Sequence, residues 1–119
     1  MESYVGTLPA ARMSPRILNG ALKWYEWDTF ELQVEIELTD ENGAAVEIVA
    51  PHTVEFKFHD ERNQIVWWMT FGNIKDNTVV LVVDDDVTAR FPKGEYTYDV
   101  IYNGTTRKTL VHEAPVTVE

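Results

Sequence analysis

The chain contains no cysteine. Disulfides, thiolate nucleophiles and cysteine-ligated zinc are therefore excluded. Serine is nearly as scarce. Ser3 and Ser14 are its only serines, and neither sits on a strand-to-helix elbow, so a serine nucleophile has no seat. Histidine is limited to His52, His59 and His112, with no two at i, i+2 or i+4. The six glycines are scattered singly, which leaves no glycine-rich phosphate cradle. Long apolar runs are missing too. The longest, Ile65–Met69 and Val79–Val83, are five residues, against the roughly 20 that a membrane helix needs. The opening MESYVGTLPAARMSPRILNG lacks the apolar core of a signal peptide. The expectation is a protein that is cytoplasmic when made.

Positive charge is in short supply. Ten Lys and Arg face twenty Asp and Glu, for a net charge of −10. Residues 1–27 hold three basic and two acidic side chains, residues 28–119 seven basic and eighteen acidic. A body this acidic repels nucleic-acid phosphates and anionic lipid. No nucleic-acid partner, no membrane partner and no cofactor are expected.

What is present is alternation. Phe30, Leu32, Val34, Ile36 and Leu38 interleave with Glu31, Gln33, Glu35 and Glu37. That is period two, a strand with one dry and one wet face. Val54, Phe56 and Phe58 alternate likewise over Thr53–His59. In Ile65–Phe71, Ile65, Trp67, Met69 and Phe71 share one face and Trp68 points the other way. Val79–Val83 is continuously aliphatic, which predicts a central strand covered on both faces. Further strands are predicted over Leu22–Trp27, Ala44–Ala50, Tyr96–Tyr102 and Thr105–Glu119. Polar turns at Asp40–Gly43, Asp60–Asn63 and Asn103–Gly104 separate them.

Asp84 to Tyr102 is the organising stretch. Asp84, Asp85 and Asp86 can cap one helical turn over Val87–Phe91. Gly94 and Tyr96 then open a strand at the position of a tyrosine corner, with Tyr98 two residues on, where antibody domains place a cysteine. The fold class expected is all-β: an immunoglobulin-like antiparallel β-sandwich of seven to eight strands. A barrel is the alternative. The domain is expected over residues 20–119. Residues 1–19, interrupted by Pro9 and Pro15, are expected to be an extended arm or linker whose Arg12 and Arg16 form the one basic patch.

No catalytic constellation emerges. The Glu31, Glu35 and Glu37 stripe is a solvated strand face rather than the carboxylate pair of a glycosidase cleft. No metal site is expected: Asp84, Asp85 and Asp86 are weak candidates as oxygen ligands for Ca²⁺, and a solvated turn with one helix-capping aspartate is the favoured reading. The aromatic residues carry the functional expectation. Exposed tryptophan stacks on sugar rings or fills a partner's pocket, so Trp24, Trp27 and Trp68, with Arg12 and Arg16, are the predicted partner-binding residues.

The stretch from about Trp27 to Val118 resembles a phage module, the N-terminal immunoglobulin-like domain of the baseplate upper protein family of phages infecting Gram-positive bacteria. The matching features are Asp28 and Phe30 on an early strand and the aliphatic strand ending at Asp84. Phe91-Pro92-Lys93-Gly94-Glu95-Tyr96, the strand pair around Asn103-Gly104 and the closing Pro115-Val116-Thr117-Val118 match as well. The resemblance implies a non-enzymatic assembly or attachment module, with the virion as destination, a protein partner or self-association, and no catalytic residues to carry over. The alternative is a carbohydrate-binding or adhesin-like domain that uses exposed tryptophan.

Overall fold

A computed structural model describes the backbone of residues 2–12 and, in full, residues 21–40 and 42–119. Among these, nine strands and one helical turn follow in order. They are β1 (Glu2–Arg12), β2 (Leu22–Trp24), β3 (Phe30–Thr39), β4 (Ala45–Val46), β5 (Thr53–His59), β6 (Ile65–Phe71), β7 (Thr78–Val83), α1 (Asp85–Thr88), β8 (Gly94–Asn103) and β9 (Arg107–Val118). One sheet is ordered β2-β9-β8-β5-β6. In the other, β3 pairs with β1 along one edge and with β7 and β4 along the other. The chain is all-β, a two-sheet sandwich.

The alternation read from the sequence sets the faces. On β3, Phe30, Val34, Ile36 and Leu38 are buried, while Gln33, Glu35 and Glu37 are exposed. On β5, Val54, Phe56 and Phe58 are fully buried. They meet Val79, Leu81 and Val83 of β7 and Tyr96, Tyr98, Val100 and Tyr102 of β8 in one core. At roughly 1.5–3 kcal/mol per fully buried large apolar side chain, this core is the main driving force for the sandwich.

Two turns use the same local device. Asp40 Oδ1 accepts from the N–H groups of Asn42 and Ala44, each at 2.9 Å. Asp60 Oδ1 accepts from Arg62 and Gln64, also at 2.9 Å. An aspartate that bonds the backbone two and four residues on closes a turn without a partner strand.

Four expectations are corrected. The sheets are mixed rather than purely antiparallel: β1 runs parallel to β3, and β2 parallel to β9. Turn residues reveal hairpins between neighbours in sequence, and these two pairings join strands distant in the chain. Among the described residues, β7 is not central but the last strand on its side of the sheet. Val80 and Val82 are 42% and 40% exposed on its outer face, so the continuous aliphatic run is covered on one face only. Ile65 leaves the face of Trp67 and is 50% exposed, because a register shift between Phe58 and His59 displaces its end of β6. The predicted Ala44–Ala50 strand pairs only over Ala45–Val46. Beyond it the backbone is held by Asn77, whose Oδ1 accepts from Ile48 N at 2.7 Å and whose Nδ2 donates to Val46 O at 2.8 Å. Residues 2–12 of the predicted arm lie along β3 as β1; Arg16 and the rest of 13–20 lie outside the described residues.

Candidate interaction surfaces

The corner after β7 is built as its residues dictate. Asp84 Oδ1 accepts from Val87 N at 3.0 Å and caps α1, which starts two residues earlier than the sequence suggested. Asp85 and Asp86 fill its first turn, where negative charge suits the helix N-terminus. Among the described residues, no three His, Cys, Asp or Glu side chains are grouped to hold a metal ion. Phe91, fully buried, follows the helix. Its ring lies 5.2 Å from that of Trp24, 5.6 Å from Phe58, 6.0 Å from Trp67 and 5.0 Å from Tyr96, all edge-on. Tyr96 then donates its hydroxyl to Pro92 O at 2.5 Å. Gly94, at φ 159°, is extended backbone at the start of β8. Tyr98 stacks on Phe58 with ring centroids 5.4 Å apart, and burial pushes its phenol up to about 12.

The tryptophans separate into two groups. Trp24 is in the core, packed on Phe30 and Phe91 at 5.3 and 5.2 Å. Its indole therefore offers little surface to a partner, contrary to expectation. Short strand β2 places it there by laying its backbone along β9, a pairing that the local sequence does not announce. Trp67 is likewise core. Trp27 and Trp68 are 66% and 57% exposed.

Trp27 does not continue β2. It occupies a turn closed by Asp28 N donating to Tyr25 O at 3.1 Å, with its own φ at 70°. A non-glycine residue there, in the left-handed region, is disfavoured by roughly 1–2 kcal/mol. The turn is braced on both sides. Glu26 N donates to Glu119 O at 2.8 Å, and Glu26 Oε2 accepts from Lys93 N at 3.1 Å. Lys23 and Glu119 pair at 2.9 Å, and the neighbouring carboxylate raises the Lys23 pKa. Tyr25, 64% exposed, stands beside Trp27. Leu22, Trp24, Phe30 and Leu32 contribute to the wall of an open hollow of about 810 Å³ below them.

Trp68 lies on the outer face of β6. Its Nε1 donates to Glu55 Oε2 at 3.0 Å, and Lys57 Nζ sits 4.8 Å from its ring centroid. Glu55 Oε1 in turn accepts from Asn103 Nδ2 at 2.6 Å. The indole is fixed before any partner arrives, which lowers the ordering entropy of a contact. Arg12 sits opposite Thr39 at the end of β1.

Two features escaped sequence reading. One is Tyr25, whose exposure depends on the turn at Trp27. The other is a carboxylate flanked by imidazoles on the outer sheet face. Asp99 lies 3.2 Å from His112 Nδ1 and 3.7 Å from His59 Nδ1. It also accepts from Glu113 N at 2.7 Å, where β9 bulges and Glu113 takes φ 50°. Only the strand register brings these residues together.

No protein-family model matches this chain, and no curated protein does. Among solved structures, the N-terminal domain of phage TP901-1 ORF48 shares the fold. The superposition has a TM-score of 0.54 at 12% identity and covers 98% of this chain and 98% of that one. The chain thus has the fold of a phage domain, matched over nearly the whole length of both.

Proposed function

We propose that this domain is a non-enzymatic structural module of a phage or prophage particle, placed in a tail, baseplate or virion and acting through protein–protein contacts. The observation that carries the proposal is the likeness to a phage domain across 98% of both chains. The braced, exposed aromatics Tyr25, Trp27 and Trp68 supply contact groups of the kind that dominate protein interfaces. The sandwich is read as immunoglobulin-type. Support comes from a late strand pair, β8 and β9, flanked by β5 and by the parallel β2, and from the Tyr96 hydroxyl bonded four residues upstream. Trypsin digestion and mass spectrometry of density-purified particles test the function. Peptides of this chain at a fixed ratio to known virion proteins are expected; their absence from intact particles rejects it.

The hollow beneath Tyr25 and Trp27 favours a second reading, a carbohydrate-binding or adhesin-like surface. Binding on a glycan array that is lost in Trp27→Ala would favour it over the assembly reading. A blank array, with and without Ca²⁺, would eliminate it.

A further inference from the structure

β6 ends the five-stranded sheet, and no described strand pairs with its outer edge. Such an edge presents a row of unpaired N–H and C=O groups. Proteins ordinarily protect it with charged side chains, proline or brevity. β6 has none of these three, and its one irregularity, the register shift beside Ile65, lies at its first end and leaves Trp67–Phe71 in regular register. Its seven residues, IVWWMTF, include no charge, no proline and no glycine. They sit within residues 63–74, the longest stretch of the chain without Asp, Glu, Lys or Arg. In a chain of net charge −10, this is where a second copy can approach with least repulsion. The other sheet ends differ: β1 carries Glu2, Pro9 and Arg12, and β2 is three residues long with Lys23 at its centre. β7 begins just after Asp76 and ends at Asp84-Asp85-Asp86, so pairing it antiparallel with its own copy would bring aspartates together.

We propose that β6 is a homodimer seam, in which two copies pair β6 to β6, antiparallel about Trp68, to make one continuous ten-stranded sheet. The strand is self-complementary in that register because Trp68 is its midpoint. Trp68 lies opposite its own copy, Val66 opposite Thr70 and Trp67 opposite Met69; Ile65, displaced by the register shift, stands outside the regular pairing. Every pair is neutral, and aromatic or aliphatic pairs across strands are the stabilising ones. Val66, Met69 and Phe71 are only partly buried on the single chain, and pairing covers them further. The two indoles meet on the outer face, each already held by its Glu55 and Lys57. The contact is isologous, so it closes at two copies and does not run on into a fibre.

This deepens the assembly reading and rests on it, but the two are tested separately. The chain has no cysteine, so introduced thiols report the register cleanly. Light scattering of the full chain at sub-millimolar concentration should give twice the 13.7 kDa chain mass. Val66→Cys and Thr70→Cys chains, mixed and oxidised, should form a disulfide-linked dimer, since opposed residues bring their Cα atoms to about 5 Å. Either variant oxidised alone should not, because like positions stand four residues apart, about 13 Å along the strand. Trp68→Lys sets two ammonium groups opposite each other and should return the mass to 13.7 kDa with an unchanged circular dichroism spectrum. A wild-type mass of 13.7 kDa, or a dimer that the mixture fails to cross-link, overturns the seam. Either result leaves the particle-composition test to decide the assembly reading independently.

Discussion

Replacing Phe91 with alanine should remove more stability than any other single truncation in the corner. Its side chain is fully buried, so its transfer from water contributes roughly 1.5–3 kcal/mol. Four aromatic rings approach it at 5.0 to 6.0 Å, all edge-on; edge-to-face pairs add about 0.5–1.5 kcal/mol each where measured. These contributions overlap, and a void lined by rigid rings collapses poorly. Measured Phe→Ala losses of about 3–5 kcal/mol bracket the expected effect. Against a total of roughly 5–15 kcal/mol for a domain, that leaves the variant marginal. Urea unfolding followed by tryptophan fluorescence suits the site, because two of the contacting rings are Trp24 and Trp67. With a urea slope of roughly 1–3 kcal/mol/M, the midpoint should fall by about 2 M. Phe91→Leu, which keeps most of the volume, should recover at least half of the loss. A Phe91→Ala loss below about 1.5 kcal/mol, less than transfer alone predicts, would refute the cluster as the anchor of the corner on the five-stranded sheet.

The Tyr96→Phe change removes the hydroxyl bonded to Pro92 O and should lower stability by about 1 kcal/mol, or roughly 4 °C in Tm by calorimetry; an unchanged Tm would show that the ring alone holds the corner. Thr88 is buried and its hydroxyl has no hydrogen-bond partner, so Thr88→Val should be neutral or stabilising by up to about 1 kcal/mol in the same assay. A clear loss would mean that the hydroxyl is satisfied in solution. The Tyr98 phenol, raised by burial to about 12, stays protonated in the folded state where the unfolded chain ionises near 10. The stabilisation it gives is complete below about pH 10 and is lost as the pH climbs from there towards the folded value. Alkaline unfolding should thus steepen in that window and flatten in Tyr98→Phe; identical profiles count against it. Trp27→Gly relieves the φ of 70° but loosens the unfolded chain, so the free domain should change by less than about 1 kcal/mol. A larger loss would place the indole among the packing residues.

The strands and their faces were legible because their signal is local. Val54, Phe56 and Phe58 alternate, and alternation alone decides which side faces the core. The cap at Asp84 and the bonded hydroxyl of Tyr96 were legible for the same reason, since each acts within four residues. What failed was global. Whether Val79–Val83 is central or marginal depends on how many strands lie beyond it, and nothing in its own residues records that. Trp24 and Trp27 sit three residues apart with similar chemistry. One is buried and one exposed because β2 stops at Trp24 to pair with Val118. Asp99 found His59 and His112 only through a three-strand register with a bulge in it.

The core holds its own full set of large rings: Trp24, Phe30, Phe56, Phe58, Trp67, Phe91, Tyr96, Tyr98 and Tyr102. Tyr25, Trp27 and Trp68 are therefore surplus to folding. Two of them are held in ways that a folding account leaves unexplained. Trp27 sits where glycine is favoured, and Trp68 binds a carboxylate and underlies an ammonium while remaining mostly exposed. Exposed aromatic surface works against solubility, and a left-handed φ works against stability. The sandwich tolerates both because the buried core is complete without either exposed indole. Trp27 lies at one end of the sandwich and Trp68 on the face of its edge strand. Under the proposed assembly role the two places are separate, so a contact at Trp27 would leave the β6 edge open to a second copy.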